Sequence, residues 1–306
     1  KEYYKNGKLK FEGEYLNGEK WNGIGFNKNG EIDFKIKDGS GKGKEYNDED
    51  MLVFEGEYLN GKRNGNGKEL DNNGILKFEG RYLNGKEWNG KGKKYYYNGK
   101  LEYEGEYKNG KRNGKGKRYN IYGNLEFEGE FLNDERWNGQ GKEYLFDKDL
   151  KFEGEYKNGK RNGKGKEYNN FSKLEFEGEY LNDERNGKGK EYNHDGKFEF
   201  EGEYLNGEKW NGKIKYYYYG DNLKFEGEYL NGLKNKKGNK YYENGKLEFE
   251  GEYLKGKRNG KGKEYYDNGQ LEFEGEYKNS KYWNGKGFNK DGIAIFEVKD
   301  GNKYYY

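Results

Sequence analysis

The sequence predicts an all-β fold: an elongated, single-layer, solenoid-like antiparallel meander of about thirteen β-hairpin repeats of 24 residues. Three observations predict it. The pentapeptide Phe-Glu-Gly-Glu-Tyr or a close variant recurs eleven times, with its glycine at positions 13, 56, 80, 105, 129, 154, 178, 202, 227, 251 and 275, so nearly every step is 24 or 25 residues. Residues alternate strictly around Asn-Gly dipeptides, a strong hairpin signal because a type I′ turn needs positive φ at both central residues. Aromatic residues make up 19% of the chain, with 34 tyrosines and 18 phenylalanines, and they replace aliphatics as the buried material. A stacked array of this kind has no single central core and works by presenting a long surface.

The array is expected to run through 1–306 as one continuous domain. The long gap between Gly13 and Gly56 holds a degenerate unit near 30–46, where Phe34-Lys35-Ile36-Lys37-Asp38-Gly39 stands in place of the pentapeptide and its turn. Phe296-Glu297-Val298-Lys299-Asp300-Gly301 repeats that variant in a second degenerate unit near 292–306, and the two bring the total to thirteen. Trp21-Asn22-Gly23-Ile24-Gly25-Phe26-Asn27-Lys28 matches Trp283-Asn284-Gly285-Lys286-Gly287-Phe288-Asn289-Lys290, which points to a higher-order duplication and to a slice of something longer.

A regular unit is read best from 101–118. A two-residue turn at Asn109-Gly110 places Gly105 opposite Gly114, Tyr103 opposite Gly116, Glu104 opposite Lys115 and Glu102 opposite Lys117. Around the next type of connection, Asn268-Gly269, Tyr266 faces Leu271, Lys263 faces Glu274, Gly262 faces Gly275, Lys261 faces Glu276 and Gly260 faces Tyr277. One face then carries rings lying over glycines, and the other carries rows of alternating Glu and Lys. Each exposed pair contributes only about 0.2–1 kcal/mol, so the rows act chiefly against a one-residue slip. Thirteen pairs of strands at about 4.8 Å per strand predict a twisted rod on the order of 120 Å long.

Composition sets the bounds. With 29% hydrophobic and 38% charged residues the chain sits near the disordered class, but 60 basic and 57 acidic residues leave a net charge of only +3. There is no cysteine and no proline, so disulfides and thiolate metal sites are excluded. No targeting segment and no apolar run of membrane-spanning length occurs in the chain given, which favours a cytoplasmic or assembly-associated location.

Phe-Glu-Gly-Glu-Tyr-x-Asn-Gly-Lys-Arg-Asn-Gly-Lys-Gly, as in Phe152 to Gly165 and Phe249 to Gly262, resembles the MORN repeat, with an aromatic, Gly, an aromatic, Gly and then a Gly-x-Gly pair. The resemblance covers essentially the whole chain and implies an elongated antiparallel sheet with two strands per repeat. Asn113, Asn162 and Asn259 stand where many members have histidine, a variant that resembles bacterial MORN-like proteins described as antitoxin components. What the resemblance implies is a binding or scaffolding part, since members are linked to junctions, ciliary and cytoskeletal assemblies, and phosphoinositide membranes.

The candidate contact residues follow from the pattern. Trp21, Trp88, Trp137, Trp210 and Trp283 each precede Asn-Gly where a hairpin carries an extra residue, so a bulge is expected to swing each indole toward one edge. They read either as anchors for a partner or as covers over a neighbouring turn. Tyr107, Tyr156, Tyr180, Tyr204, Tyr229, Tyr253 and Tyr277 line an aromatic groove for which the chain offers no second layer, so a protein partner or a second copy of the chain is expected there. Lys-Arg-Asn-Gly-Lys-Gly-Lys at 111, 160 and 257 has lysines that face glutamates, which leaves membrane lipid a weak partner and excludes nucleic acid. No catalytic set can be built from one histidine, His194, and three serines, and no cofactor is implied. Asp48-Glu49-Asp50 and Asp147-Lys148-Asp149 read as acidic loops rather than calcium sites. The expected role is a non-catalytic structural scaffold. End-to-end assembly is part of that reading, because strand-like segments stand at both limits of the chain. A membrane adaptor or an antitoxin whose groove clamps a toxin is the alternative.

Overall fold

The structure, a computed structural model, describes residues 1–145, 148–219 and 222–306. Among them every regular element is a strand: twenty-seven strands, antiparallel wherever they pair, form an unclosed single-layer meander. The predicted fold class is therefore present. After a short first strand, Glu2–Tyr3, the strands come as thirteen consecutive hairpins, from Leu9–Leu16 with Glu19–Phe26 to Ala294–Lys299 with Asn302–Tyr305. Two compact units divide the chain, residues 1–149 with 156–159 and residues 150–155 with 160–306.

In the first unit the hairpin of Leu101–Lys108 and Lys111–Tyr119 has the expected turn, with φ of 54° at Asn109 and 75° at Gly110. Lys108 faces Lys111 and Tyr107 faces Arg112, as a two-residue turn requires. Beyond that point the expected register fails. Gly105 faces Gly116, Tyr103 faces Arg118 and Glu104 faces Lys117, two residues further than simple alternation predicts. Asn113 and Gly114 bulge out of the ladder. Gly114, at φ 98°, takes a backbone conformation that a side chain would oppose, and the Glu106 carboxylate accepts the Lys115 N–H at 3.1 Å to close the bulge.

In the second unit the connection at Asn268-Gly269 keeps four of the five expected pairs: Lys263 with Glu274, Gly262 with Gly275, Lys261 with Glu276 and Gly260 with Tyr277. Leu271 faces Tyr265 and not Tyr266, because Tyr266 belongs to the loop. Its N–H donates to Gln270 O and its carbonyl accepts the Gly269 N–H, both within 2.9 Å.

Neighbouring turns are also tied to one another. In the first unit the turn N–H groups of Gly39, Gly85, Gly110, Asp134 and Gly159 donate to the carbonyls of Trp21, Arg63, Trp88, Arg112 and Trp137. In the second, Asp183, Gly207, Gly232, Gly256, Ser280 and Gly301 donate to Arg161, Arg185, Trp210, Lys234, Arg258 and Trp283. Each bond contributes about 0.5–1.5 kcal/mol, and the row ties each turn to the hairpin before it.

Candidate functional site

The aromatic residues form one layer in each unit. In the first, Phe54, Phe78, Tyr103 and Phe127 are fully buried, and their rings alternate edge to face with Tyr82, Tyr107, Phe131 and Tyr156 at 5.1–5.9 Å between centroids. In the second, Phe152, Phe176, Phe200, Phe249 and Phe273 do the same with Tyr180, Tyr204, Tyr253 and Tyr277. Glycine makes this possible. A Cβ built on Gly178 or Gly189 would stand 2.6 Å from the Phe176 ring, so the ring occupies space that any other residue would fill. Edge-to-face pairs contribute about 0.5–1.5 kcal/mol each beyond burial.

Cations cover the rings. The guanidinium of Arg63 lies 4.1 Å from the Phe54 centroid, that of Arg161 4.0 Å from Phe152, and those of Arg185 and Arg258 4.2 Å from Phe176 and Phe249. Glutamates hold them in place. Glu45 accepts from Arg63 at 2.6 Å and from the Tyr58 hydroxyl at 2.5 Å. Glu191 meets Arg185 at 3.3 Å, Lys209 at 3.2 Å and the Tyr204 hydroxyl at 2.6 Å. Glu264 meets Arg258 at 2.5 Å and the hydroxyls of Tyr277 and Tyr282 at 3.3 and 3.0 Å. Burial pushes the Glu45 carboxyl up, but Arg63 and Tyr58 outweigh it and hold the group below its ordinary range. The same burial, with Glu45 beside it, drives the Tyr58 hydroxyl far above its ordinary value.

The expectation of an open aromatic groove is thus corrected. Arginine at the position opposite the tyrosine of the pentapeptide, and the glutamate of Lys-Glu-Tyr opposite its phenylalanine, supply the second layer from the same chain. Strand alternation alone places both on the ring face, a signal the Glu/Lys reading of the other face obscured.

The seven candidate tyrosines sit in this layer. Tyr156, Tyr180, Tyr204, Tyr253 and Tyr277 are buried, while Tyr107 and Tyr229 are half-buried. The five tryptophans are half-buried at the turns, each in a one-residue bulge as expected: Trp88 stands between Glu87, which faces Tyr82, and Asn89, which faces Arg81. The indoles of Trp21, Trp88, Trp210 and Trp283 are directed at the next hairpin's turn. Carbons of Trp88 and Trp283 would meet a Cβ on Gly110 at 3.7 Å and on Gly301 at 3.2 Å. The asparagine after each tryptophan takes the N–H of that turn's first residue, with Asn89 accepting from Asn109 at 2.8 Å, Asn138 from Asn158 at 3.0 Å and Asn211 from Asn231 at 2.9 Å. Replacing Asn138 with alanine is expected to cost about 1 kcal/mol and to speed amide exchange selectively at Asn158 and Gly159, which hydrogen-exchange mass spectrometry would localise.

Sequence reasoning missed a row of leucines just before the turns. Leu16, Leu59, Leu181 and Leu254 are 46–49% exposed, and Leu83, Leu132, Leu205 and Leu230 are close behind. Each follows the second aromatic of its pentapeptide by one residue, which alternation places on the Glu/Lys face. That face matches its prediction: Lys117 reaches Glu128 at 3.1 Å, Lys190 Glu201 at 3.1 Å and Lys263 Glu274 at 3.0 Å, all half-exposed. Open grooves run between the rows. One of about 720 Å³ in the first unit is lined by Lys93, Glu104, Lys117 and Glu128, and one of about 520 Å³ in the second by Lys237, Glu250, Lys261 and Glu274.

The remaining candidates are accounted for briefly. His194 is an exposed loop residue beside Asp195 at 3.2 Å. Asp50 accepts the Lys5 N–H at 2.7 Å, and Asp147 lies outside the described residues. Among the described residues no His, Cys, Asp and Glu cluster suits a metal ion, and no helix is long and apolar enough to cross a membrane.

Residues 1–17, 88–109, 236–255 and 258–279 match the family described as MORN repeat variant, and residues 54–75, 103–120, 152–171 and 176–198 match the family described as MORN repeat. Together the segments cover about half of the chain. No curated protein matches it. Among solved structures, a TcdB2-TccC3-TEV crystal structure is 10% identical over 99% of this chain and 17% of its own, with a TM-score of 0.20. TcdB2-TccC3 without its hypervariable C-terminal region is 12% identical over 92% of this chain and 15% of its own, with a TM-score of 0.21. A Photorhabdus luminescens Tc holotoxin pore is 12% identical over 87% of this chain and 14% of its own, also at 0.21. The chain spans about a sixth of the length of those chains, and likenesses this distant carry no argument.

Proposed function

The chain belongs to the MORN-repeat proteins, and from that premise we propose that it is a non-catalytic scaffold for protein association, with its contact edge along the turns. Repeats of this family mediate protein or lipid interactions. The observation that carries the reading is the division of apolar surface. The rings are closed beneath their own arginines and glutamates, whereas the leucines before the turns stay nearly half-exposed and recur at every few strands. Two strands per repeat set successive leucines about 10 Å apart, and covering one would contribute about 1 kcal/mol. Trp21, Trp88, Trp137, Trp210 and Trp283 lie at the same turns and complete that edge in this reading. The seven tyrosines lie in the ring layer on the other face, most of them buried, and support the edge from behind.

A toxin clamped against the rings, the alternative that the antitoxin-like variant suggests, would first have to displace the cations that lie on them.

Sedimentation velocity tests the proposal. The wild-type chain is expected to associate with itself as concentration rises, and a variant carrying Leu181→Lys, Leu205→Lys, Leu230→Lys and Leu254→Lys is expected to remain monomeric with an unchanged circular dichroism spectrum. Equal association of the two would remove the leucine edge from the reading. A monomeric wild type that floats with anionic vesicles would replace protein association with lipid binding.

A further inference from the structure

One hairpin lacks the paired charge that lies above several of the rings. In several other hairpins the ring-capping cation is met by carboxylates from three places: the residue before the last of the preceding strand, the residue before the phenylalanine of its own hairpin, and the residue before the last of its own second strand. Glu45 and Glu69 serve Arg63 in this way, Glu167 and Glu191 serve Arg185, and Glu248 and Glu264 serve Arg258. In the hairpin of Leu223–Leu230 and Leu233–Tyr241 the capping cation is Lys234, and the three places hold Tyr216, Lys224 and Lys240.

All three carboxylates are therefore replaced, two of them by lysine. The Lys234 ammonium lies 3.8 Å from the Phe225 centroid and 5.5 Å from that of Tyr216, and no described carboxylate is within ion-pair distance of it or of Lys224. Lys240 has its own partner, Glu248, at 2.5 Å. The tyrosines show the same vacancy. Tyr204 and Tyr277 give their hydroxyls to Glu191 and Glu264, but the hydroxyl of Tyr229, at the equivalent position, meets only that of Tyr216. Burial, with Lys240 and Lys224 nearby, presses the Lys234 ammonium below its ordinary pKa, the response of a cation that lacks a counter-ion.

We propose that this hairpin is a docking site for a carboxylate side chain of an acidic protein segment, which lies against Lys234 between Lys224, Lys240 and the hydroxyls of Tyr216 and Tyr229. The incoming carboxylate takes the place that Glu191 and Glu264 take in other hairpins, where such a group is already seen to bridge a tyrosine hydroxyl and a ring-capping cation. The inference rests on the protein-association reading, but it uses the ring face and not the leucine edge.

The test uses the full chain and a fluorescein-labelled, glutamate-rich nonapeptide, followed by fluorescence anisotropy at low ionic strength. Saturable binding is expected for the wild type. Tyr216→Glu, which restores the chain's own carboxylate, is expected to weaken binding at least tenfold while its melting temperature stays equal to or above that of the wild type, showing that the site is filled and not unfolded. Lys234→Gln is expected to weaken binding similarly, and Lys164→Gln, on the charged face, to leave it unchanged. Wild-type affinity in Tyr216→Glu and Lys234→Gln, or an equal loss in Lys164→Gln, would overturn the site. Displacement of the peptide by inorganic phosphate but not by acetate would overturn its assignment to a carboxylate. The leucine variant is expected to keep peptide binding, which separates failure of this site from failure of the turn edge.

Discussion

Raising the pH from about 9 to about 12 is expected to unfold the chain in a steep transition, because its buried tyrosines resist ionisation that the unfolded chain accepts. Burial is the leading cause at Tyr82, Tyr103, Tyr180, Tyr204 and Tyr277, and glutamates facing most of the hydroxyls add to it. All five lie far above the ordinary value near 10, and the half-buried Tyr107 is raised to about 12. The sign follows directly. The folded state keeps its protons longer than the unfolded state, so the stability these groups contribute is fully present below pH about 10 and is lost as the pH climbs through the folded values. Each fully buried tyrosine costs about 1.4 kcal/mol per pH unit in that window, and several titrate together. Circular dichroism and absorbance at the tyrosinate band should therefore change together. Tyrosinate absorbance rising smoothly near pH 10 with strand signal retained to pH 12 would show that the hydroxyls are not held as the structure indicates. Exposed tyrosines such as Tyr97 and Tyr219 supply the early, uncoupled part of the absorbance.

The fold was legible because its signals repeat. Asn-Gly turns, pentapeptide glycines and alternating Glu and Lys agree in most units, and each gives the same strand pairing across the loops on one side of the sheet. What was not legible was the hairpin register past Gly114. An Asn-Gly pair within a strand reads as ordinary alternation, yet the positive φ of Gly114 and the capture of the Lys115 N–H by Glu106 make it a bulge. The single-residue bulges at the tryptophans were visible, because insertion changes the period from 24 to 25.

The candidate site was legible only in part, for a related reason. Reading one face as aromatic and the other as charged left Arg63, Arg112, Arg161, Arg185 and Arg258 on the wrong side of the account, although each stands two residues past a turn and faces or neighbours a tyrosine. Arginine stacks its flat guanidinium on a ring and binds carboxylates at its edge, so it lies over an aromatic layer at little desolvation cost when glutamate is supplied. Sequence hydropathy scores such a residue as solvent-facing. That is why the layer appeared to need a partner, and why the real exposure, at Leu181 or Leu254, was passed over as part of a strand end.

Valine at Gly178 or Gly189 is expected to be the most damaging single substitution in the second unit, costing about 3 kcal/mol or more. These two glycines face each other across the hairpin beneath one ring. A Cβ on Gly178 would stand 2.6 Å from the Phe176 ring and 2.7 Å from both Gly189 Cα and Lys188 O, while one on Gly189 would meet Phe176 at 2.6 Å and Tyr204 at 3.2 Å. Backbone on one side and a packed ring on the other leave neither able to yield, and moving the ring also breaks its contact with Arg185 at 4.2 Å. Alanine is expected to be less damaging but still costly, since the clash begins at the first carbon. The damage should also be local. In a stacked array each hairpin contacts only its neighbours, so loss of amide protection is expected across Leu174–Leu181 and Glu184–Tyr192 and their adjoining strands, with Leu271–Lys278 retaining wild-type exchange. Urea titration gives the size of the loss and hydrogen exchange its extent. A valine variant with unchanged stability would mean that the ring does not lie on the glycines. Loss of protection at Leu271–Lys278 equal to that at Leu174–Leu181 would mean that the hairpins of the second unit unfold together, with the turn-to-turn hydrogen bonds coupling them more strongly than nearest-neighbour packing alone.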